Sequence, residues 1–366
     1  MRVRIDLATA ADDAAIRRLC RREAMPGRVS LSYEREPDFS LGCRVTGQNA
    51  QVVVARQEEG EVVGVACRST REMFINGMPE RLGYLGQLRI DENYRGRWLV
   101  SRGFSLLRQV HEQDPVPAYL ISVVAGNSEA EGVLIHKARR SFPAFHQVAD
   151  FSSLAIALGR RKPSVHGDLE ICWATEDQAE EIVQFLLTHG SQRQFFPAWT
   201  ADGLRQLTRI GLHFEDIRVA RRNGKIIGVA GLWDQSGYKQ FVVRGYSGWM
   251  RATAPLYNLS APWLGRPSLP RVGSKLRSVY AAFVCISDDE IQVFAALLRE
   301  LYNRGCERGF DYVLLGLDSR DPFLPVARRY AHVFYPSRLY LAEWPEGGKL
   351  HERLDHRTTY VDIATL

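Results

Sequence analysis

Between Gly86 and Val110 the hydrophobic and polar positions change period once, from an extended run to a helical one. Gly86-Gln87-Leu88-Arg89-Ile90 reads as a strand, and Asp91 to Arg97 as a short polar loop with two arginines, Arg95 and Arg97, around Gly96. Beyond the loop Leu99, Gly103, Leu106, Leu107 and Val110 share one face at helical spacing, which predicts a helix from about Leu99 to His111. A strand that feeds a basic loop and a helix start makes a natural anion site. The first backbone N–H groups of a helix have no partner within it, and the dipole adds about half a positive charge there.

The same patterning divides the rest of the chain. Val3 to Leu7 reads as a strand, and Thr9 is placed to cap a helix with Ala14, Ile16 and Leu19 inside and arginines outside. Residues 26–41 read as irregular, with Pro26-Gly27 and Glu36-Pro37 as breakers. Val52–Ala55 and Val62–Ala66 read as strands joined by a Glu-Glu-Gly turn, and Asn76-Gly77 as a two-residue hairpin. A strand from Ala118 to Val124, a short helix from Ser128 to Lys137 and a strand from Ser152 to Ala157 follow.

Past the aperiodic segment Gly159–Gly167 the pattern restarts. Ile171-Cys-Trp-Ala-Thr175 matches Ile5-Asp-Leu-Ala-Thr9, Val219–Ala230 matches Val54–Ala66, and Tyr312–Ser319 parallels Leu120–Ser128. Three matches in register point to a duplication. The expected organisation is a first domain over 1–158, a linker over 159–167, a second domain over 168–345 and a tail over 346–366. Residues 238–275, with Trp249, Tyr257 and Trp263, form an insertion in the second copy that reads equally as a lid or as a cover for a sheet face.

Composition narrows the partners. A chain of 366 residues with 45% hydrophobic and 25% charged positions suits a soluble protein of two domains. A net charge of +6 is compatible with a phosphorylated small ligand, while the absence of a basic patch or binding motif argues against nucleic acid. Six scattered cysteines without a C-x-x-C pair predict reduced thiols, and neither a disulfide framework nor a metal site is expected. With no secretory signal and no apolar run near the ~20 residues of a membrane span, the expected location is the cytoplasm.

Leu88-Arg-Ile90-Asp91-x-x-Tyr94-Arg95-Gly96-Arg97 resembles the fourth strand and pyrophosphate loop of the GNAT superfamily of acyl-CoA-dependent N-acyltransferases. Asn127, with Ala130 three residues on, resembles the end of its fifth strand, and the likeness extends over nearly the whole chain as two GNAT domains in tandem. The resemblance implies an α/β (α+β) fold, in each copy a mixed, mostly antiparallel sheet flanked by helices. It also implies acetyl-CoA or another acyl-CoA as co-substrate and an amine of a small molecule or peptide as acceptor; the oligomeric state is left open, an intrachain pseudo-dimer of the two copies being one arrangement. On it, the expected co-substrate residues are Leu88, Arg89, Ile90, Arg95, Gly96, Arg97, Trp98, Leu99, Val100 and Asn127.

The departures from the family pattern fall on function. Trp98 and Val100 stand where small residues are usual, so their side chains must point away from the phosphates, with Arg95 and Arg97 supplying charge-assisted contacts instead. Many relatives carry Glu where Gln87 stands, and Leu134 occupies the place of a tyrosine acid. Candidate replacements are Glu36, or its neighbour Glu34, as base and His136 as the nearest titratable group; Tyr33 and Tyr84 are candidate walls of the acceptor groove. In the second copy the loop has become Ser287-Asp288-Asp289-Glu290, whose carboxylates repel a pyrophosphate, so that copy is expected not to bind CoA and Ser287 or Asp288 is expected as a helix cap. The competing expectation is a GNAT-fold protein that binds CoA or another ligand without turnover.

Overall fold

A computed structural model describes residues 3–95, 97–134, 142–261, 263 and 266–366 of the chain, with backbone only at Arg97, Glu129, Val133 and Leu134. The first half carries β1 (Val3–Leu7), α1 (Asp13–Arg22), β2 (Ala24–Met25), β3 (Val29–Glu34), α2 (Phe39–Thr46), β4 (Gln48–Gln57), β5 (Val62–Ile75) and β6 (Met78–Ile90). It continues with α3 (Arg97–Gln113), β7 (Tyr119–Val124), α4 (Ser128–Leu134) and β8 (Ala144–Ala157). The second half carries β9 (Glu170–Trp173), α5 (Ala179–Gly190), α6 (Ala201–Gln206), β10 (Ile217–Arg222), β11 (Lys225–Trp233), β12 (Gln240–Tyr246) and α7 (Gly248–Ser260). It ends with β13 (Ser278–Ile286), α8 (Ile291–Glu307), β14 (Tyr312–Asp318) and β15 (His332–Glu343).

Local chemistry explains the boundaries. Asn76 (φ 52°) and Gly77 (φ 86°) both hold positive φ, the conformation a tight two-residue hairpin demands, and they join the long strands β5 and β6. Asp38 caps α2 by accepting from Ser40 N at 2.7 Å. Residues 26–41 are therefore not irregular throughout: they hold the whole of β3 and the start of α2. The strand was not legible because its partner, β12, lies some two hundred residues away, with Tyr33 opposite Phe241.

Among the described residues twelve strands form one sheet in the order β1-β4-β5-β6-β7-β15-β8-β14-β13-β11-β10-β9. Each half closes with the other half's last strand. β15 pairs with β7 of the first half, β8 pairs with β14 of the second, and β8 and β15 pair with each other at the centre. The core follows this continuity, since Leu154 and Ile156 of β8 are buried in the same cluster as Val313 and Leu315 of β14. On one face α1 and α2 bury Ile16, Leu19, Phe39 and Cys43 against β4 and β5; elsewhere α3 buries Val100, Phe104 and Leu107 against Tyr119 and Ile121.

The 238–275 insertion does more than cover a face. Its strand β12 joins β3 and β2 in a separate three-stranded sheet that ties the second half to the first. The 346–366 segment packs back on the sheet. Thr359 donates from its N–H and hydroxyl to the buried Asp318 (3.2 and 2.6 Å), and a Cβ on Gly316 would come within 2.5 Å of Ile363. Among the described residues no helix is long and apolar enough to cross a membrane.

Candidate functional site

Among the described residues β6 and β7 run parallel and pair at Gly83–Tyr119 and Tyr84–Leu120, after which they diverge. The residues of β6 beyond Tyr84 therefore line an opening cleft. At its edge Gln87 has φ 58°, and the β5–β6 register shifts between Val65 and Cys67. This is a β-bulge, which bends the strand and re-aims its backbone groups beside the cleft.

At the mouth of the cleft the strand ends Leu88, Arg89 and Ile90 meet the loop and the start of α3. Asp91 caps a single turn over Glu92–Tyr94. Arg95 donates from Nε to Ile90 O at 3.3 Å and reaches Glu23 at the end of α1 at 2.6 Å. Gly96 lies outside the described residues, and Arg97 is placed by its backbone as the first residue of α3. Leu99 packs with Val3, Ala55 and Val63, and Val100 packs with Tyr119 and Ile121, so these two seat the helix. Trp98 is 45% exposed, with Arg102 over its ring at 5.7 Å, so its side chain faces solvent at the helix start. Across the cleft, past the end of β7, Asn127 accepts from Ala130 N at 3.1 Å and so shapes the start of α4.

Of the two candidate catalytic residues, Glu36 is the one that lies among the described residues. Glu36 is held by Arg17 and by Arg21 (2.6 Å) of α1, while its N–H donates to Gln240 at 3.0 Å. His136 lies outside the described residues. Glu34 accepts from Ser32 and is paired with Arg244 of β12.

The second half repeats the cleft geometry and fills it. β13 and β14 pair from Ser278–Tyr312 to Tyr280–Leu314 and then part, and Phe283 (φ 55°) sits at a register shift opposite Val229 and Gly231. Here Phe283 N donates to Asp362 at 3.0 Å, so the 359–364 segment occupies the bulge. In the following loop Asp289 pairs with Arg193, and Glu290 with both terminal nitrogens of Arg222 at 3.0 Å. The cap of α8 is Glu290, not Ser287 or Asp288. The Ser287 hydroxyl turns to Asp288 (2.8 Å), and Asp288 and Asp289 adopt positive φ.

Sequence spacing did not reveal the polar residues gathered beside the first cleft. Arg35 is 1% exposed, with its guanidinium 5.9 Å from the Tyr33 ring centroid and 5.0 Å from that of Phe39. Lys239 is 8% exposed and stands 5.9 Å from the same Tyr33 ring and 4.3 Å from that of Tyr280. Burial, with the Arg35 charge nearby, pushes the Lys239 ammonium well below its ordinary range, and burial raises the phenols of Tyr33, Tyr84, Tyr238 and Tyr280. Next to Arg35, the sulfurs of Cys43 and Cys67 lie 3.7 Å apart; the hydrogen bond from Cys67 and the Arg35 charge draw the Cys43 thiol down to about 7.

A second group that spacing hid is His146, Glu343 and His351, whose donor atoms lie within 4.8 Å of one another. The two imidazoles stack at 3.4 Å, so their in-plane lone pairs run parallel and do not converge on a common point.

No protein-family model matches the chain, and neither does any curated protein. Solved structures do. A glucosamine N-acetyltransferase region of a fungal multi-domain GH3 β-N-acetylglucosaminidase matches 93% of this chain with a TM-score of 0.62 at 13% identity; the match spans 38% of that longer protein. A GCN5-related N-acetyltransferase from Sphaerobacter thermophilus matches 100% of this chain and 98% of its own, with a TM-score of 0.55 at 14% identity. The N-myristoyltransferase of Saccharomyces cerevisiae, solved with bound myristoyl-CoA, matches 93% of this chain and 87% of its own, with a TM-score of 0.56 at 9% identity. The chain thus has the GNAT fold, a mixed and mostly antiparallel sheet flanked by helices.

Proposed function

We propose that the protein transfers an acyl group from acetyl-CoA or another acyl-CoA to an amine, using the cleft between β6 and β7. The observation that carries this reading is the asymmetry of two like clefts. In the first half the bulge at Gln87 faces an opening bounded by a basic loop and a helix N-terminus. In the second half the matching bulge is taken by Asp362 and the loop is acidic. A pantetheine amide paired with the β6 edge, and a pyrophosphate at the start of α3 beside Arg95 and Arg97, are what these groups suit.

The domain division at 158 and 168, and the second half as a structural mate that completes the acceptor side, belong to the same proposal. So does a cytoplasmic location, supported by six free cysteines. A second reading, ligand binding without turnover, is favoured by one observation: the Glu36 carboxylate is already engaged by Arg17 and Arg21.

Calorimetry with acetyl-CoA and a series of longer acyl-CoAs tests the donor site, and no heat across the series overturns it. If binding is found, thiol release against a library of amines separates transfer from binding alone.

A further inference from the structure

We propose that α7 and the segment returning from it form a surface that docks on a membrane rich in anionic phospholipids. Trp249, Leu256, Leu259 and Trp263 enter the headgroup layer, and the cations around them meet the lipid phosphates. Lipid binding of this kind does not depend on the acyl-transfer reading above.

The polarity of α7 is inverted. Trp249, Ala252, Leu256 and Leu259 recur at steps of three and four, so they share one face of the helix, and all four are exposed. Trp249 is 59% exposed, Leu256 and Leu259 are 72% exposed, and Trp263, just past the helix, is 84% exposed. None of the described residues of α7 is buried. A helix of a globular domain ordinarily turns its apolar stripe to the core, and a contiguous apolar stripe left outside marks an interaction surface.

The inward contacts of α7 are polar, and they fix its outer face in place. Asn258 accepts from Leu269 N at 2.7 Å and donates to Leu269 O at 3.2 Å, and the Tyr257 hydroxyl donates to Pro267 O at 3.3 Å. Ser247 N donates to Arg28 O at 2.9 Å, which ties the start of α7 to the first half. The returning segment lies along β12, with Gly273 N donating to Val243 O at 2.7 Å and Leu276 N to Phe241 O at 2.8 Å.

Charge names the partner. From Gln235 to Ser287 the chain has no Asp or Glu and seven Lys or Arg. Arg251, Arg266, Arg271 and Lys275 of that stretch are exposed, as is Arg28, whose guanidinium stands 5.8 Å from the Trp249 ring centroid. Among the described residues none of these five forms an ion pair, whereas Arg17, Arg21 and Arg22 of α1 all pair with carboxylates. An apolar stripe beside unpaired cations is complementary to a layer that is apolar beneath and anionic on top. Tryptophan suits that boundary, having an apolar ring and a polar N–H. A second copy of the chain is the poorer occupant, because a self-complementary contact sets the same cations against one another.

The test is co-sedimentation of the full chain with vesicles of phosphatidylcholine alone and of phosphatidylcholine and phosphatidylglycerol in equal parts, at low and high salt. Binding is expected to be roughly tenfold tighter or more on the mixed vesicles, and to weaken as salt screens the cations. Leu256→Glu with Leu259→Glu, and separately Arg251→Glu with Lys275→Glu, are each expected to weaken it by a similar factor. The melting temperature is expected to hold in both, because these side chains are exposed. Should the leucine pair disturb folding, Trp263→Ser, outside the helix, gives the same reading. No binding to either vesicle, equal binding to both, or undiminished binding by the leucine pair overturns the proposal. So does a dimer in sedimentation equilibrium that the leucine pair dissolves while vesicles bind nothing, which assigns the face to a second copy.

Discussion

Gln87 and Phe283 are counterparts: each lies three residues before an isoleucine that ends its strand, each has a positive φ (58° and 55°), and each sits at a register shift. Their surroundings differ. Phe283 N is held by the buried Asp362, whereas Gln87 borders the cleft between β6 and β7. One backbone device serves as a filled joint in one half and as the wall of an opening in the other.

Donor binding should depend on the basic loop alone. Arg95→Ala combined with Arg97→Ala is expected to weaken acetyl-CoA binding by roughly tenfold or more, since a hydrogen bond to a charged group contributes about 1.5–3 kcal/mol. Asp288→Ala in the other half is expected to leave it unchanged. Calorimetry reads both, and equal losses would assign the site to the wrong half.

The bulge residue is the place to restore a base. Gln87→Glu puts a carboxylate at the cleft edge, and a positioned base contributes on the order of 10²-fold or more to proton transfer. If turnover is limited by deprotonating the amine, thiol release should rise in this variant and gain a dependence on carboxylate ionisation. An unchanged rate and pH profile would remove this position from the chemistry.

The filled joint should be structural. Asp362→Ala leaves the N–H groups of Phe283 and Ala364 without their carboxylate, at a cost of about 1–3 kcal/mol each. The melting temperature is expected to fall by several degrees while acetyl-CoA affinity holds. A stable variant with altered CoA affinity would contradict the separation of the two clefts.

One pH dependence follows from the α3 side of the sheet. Arg81 (2.7 Å) and the buried Arg68 (3.0 Å) bond to Asp114 and hold its carboxyl below the ordinary carboxylate value. The stabilisation is then full above that ordinary value and is lost as pH falls through the lowered one. Asp114→Asn should destabilise the protein by about 2 kcal/mol at neutral pH. The gap from wild type should close only below about pH 4; denaturant melts across pH 3 to 7 check it.

Strand exchange makes the halves interdependent. A fragment ending within residues 159–167 keeps β8 but loses β15, the partner of both β7 and β8. It is expected to show no cooperative unfolding as a monomer, and co-expression with the remaining residues should restore the transition. A fragment that melts cooperatively on its own would show that the exchange is dispensable.

Much of the first half could be read locally. The Val3–Leu7 strand, the Asn76-Gly77 turn and the helix behind the basic loop are determined by side-chain period and turn chemistry within a few residues. β3 could not be, because locally its short run of Ser and Tyr has only the two-residue β2 beside it and gains a full-length partner when β12 arrives from the insertion. The candidate site divides the same way. The loop from Leu88 to Val100 shows its character in its own residues, while Arg35, Lys239 and Tyr280 become neighbours only through folding.

By itself the sequence determined the order of strands and helices around the first cleft, a basic loop at the start of one helix and an acidic loop before another. These are properties of adjacent residues, carried by period, capping and charge. Only the tertiary structure decided that each half is completed by the other's last strand, that Asp362 closes one bulge, and that Glu36 is bound up by α1. Those outcomes depend on which backbone edges and charged groups meet in the folded chain, and the spacing of residues along the chain does not encode those meetings.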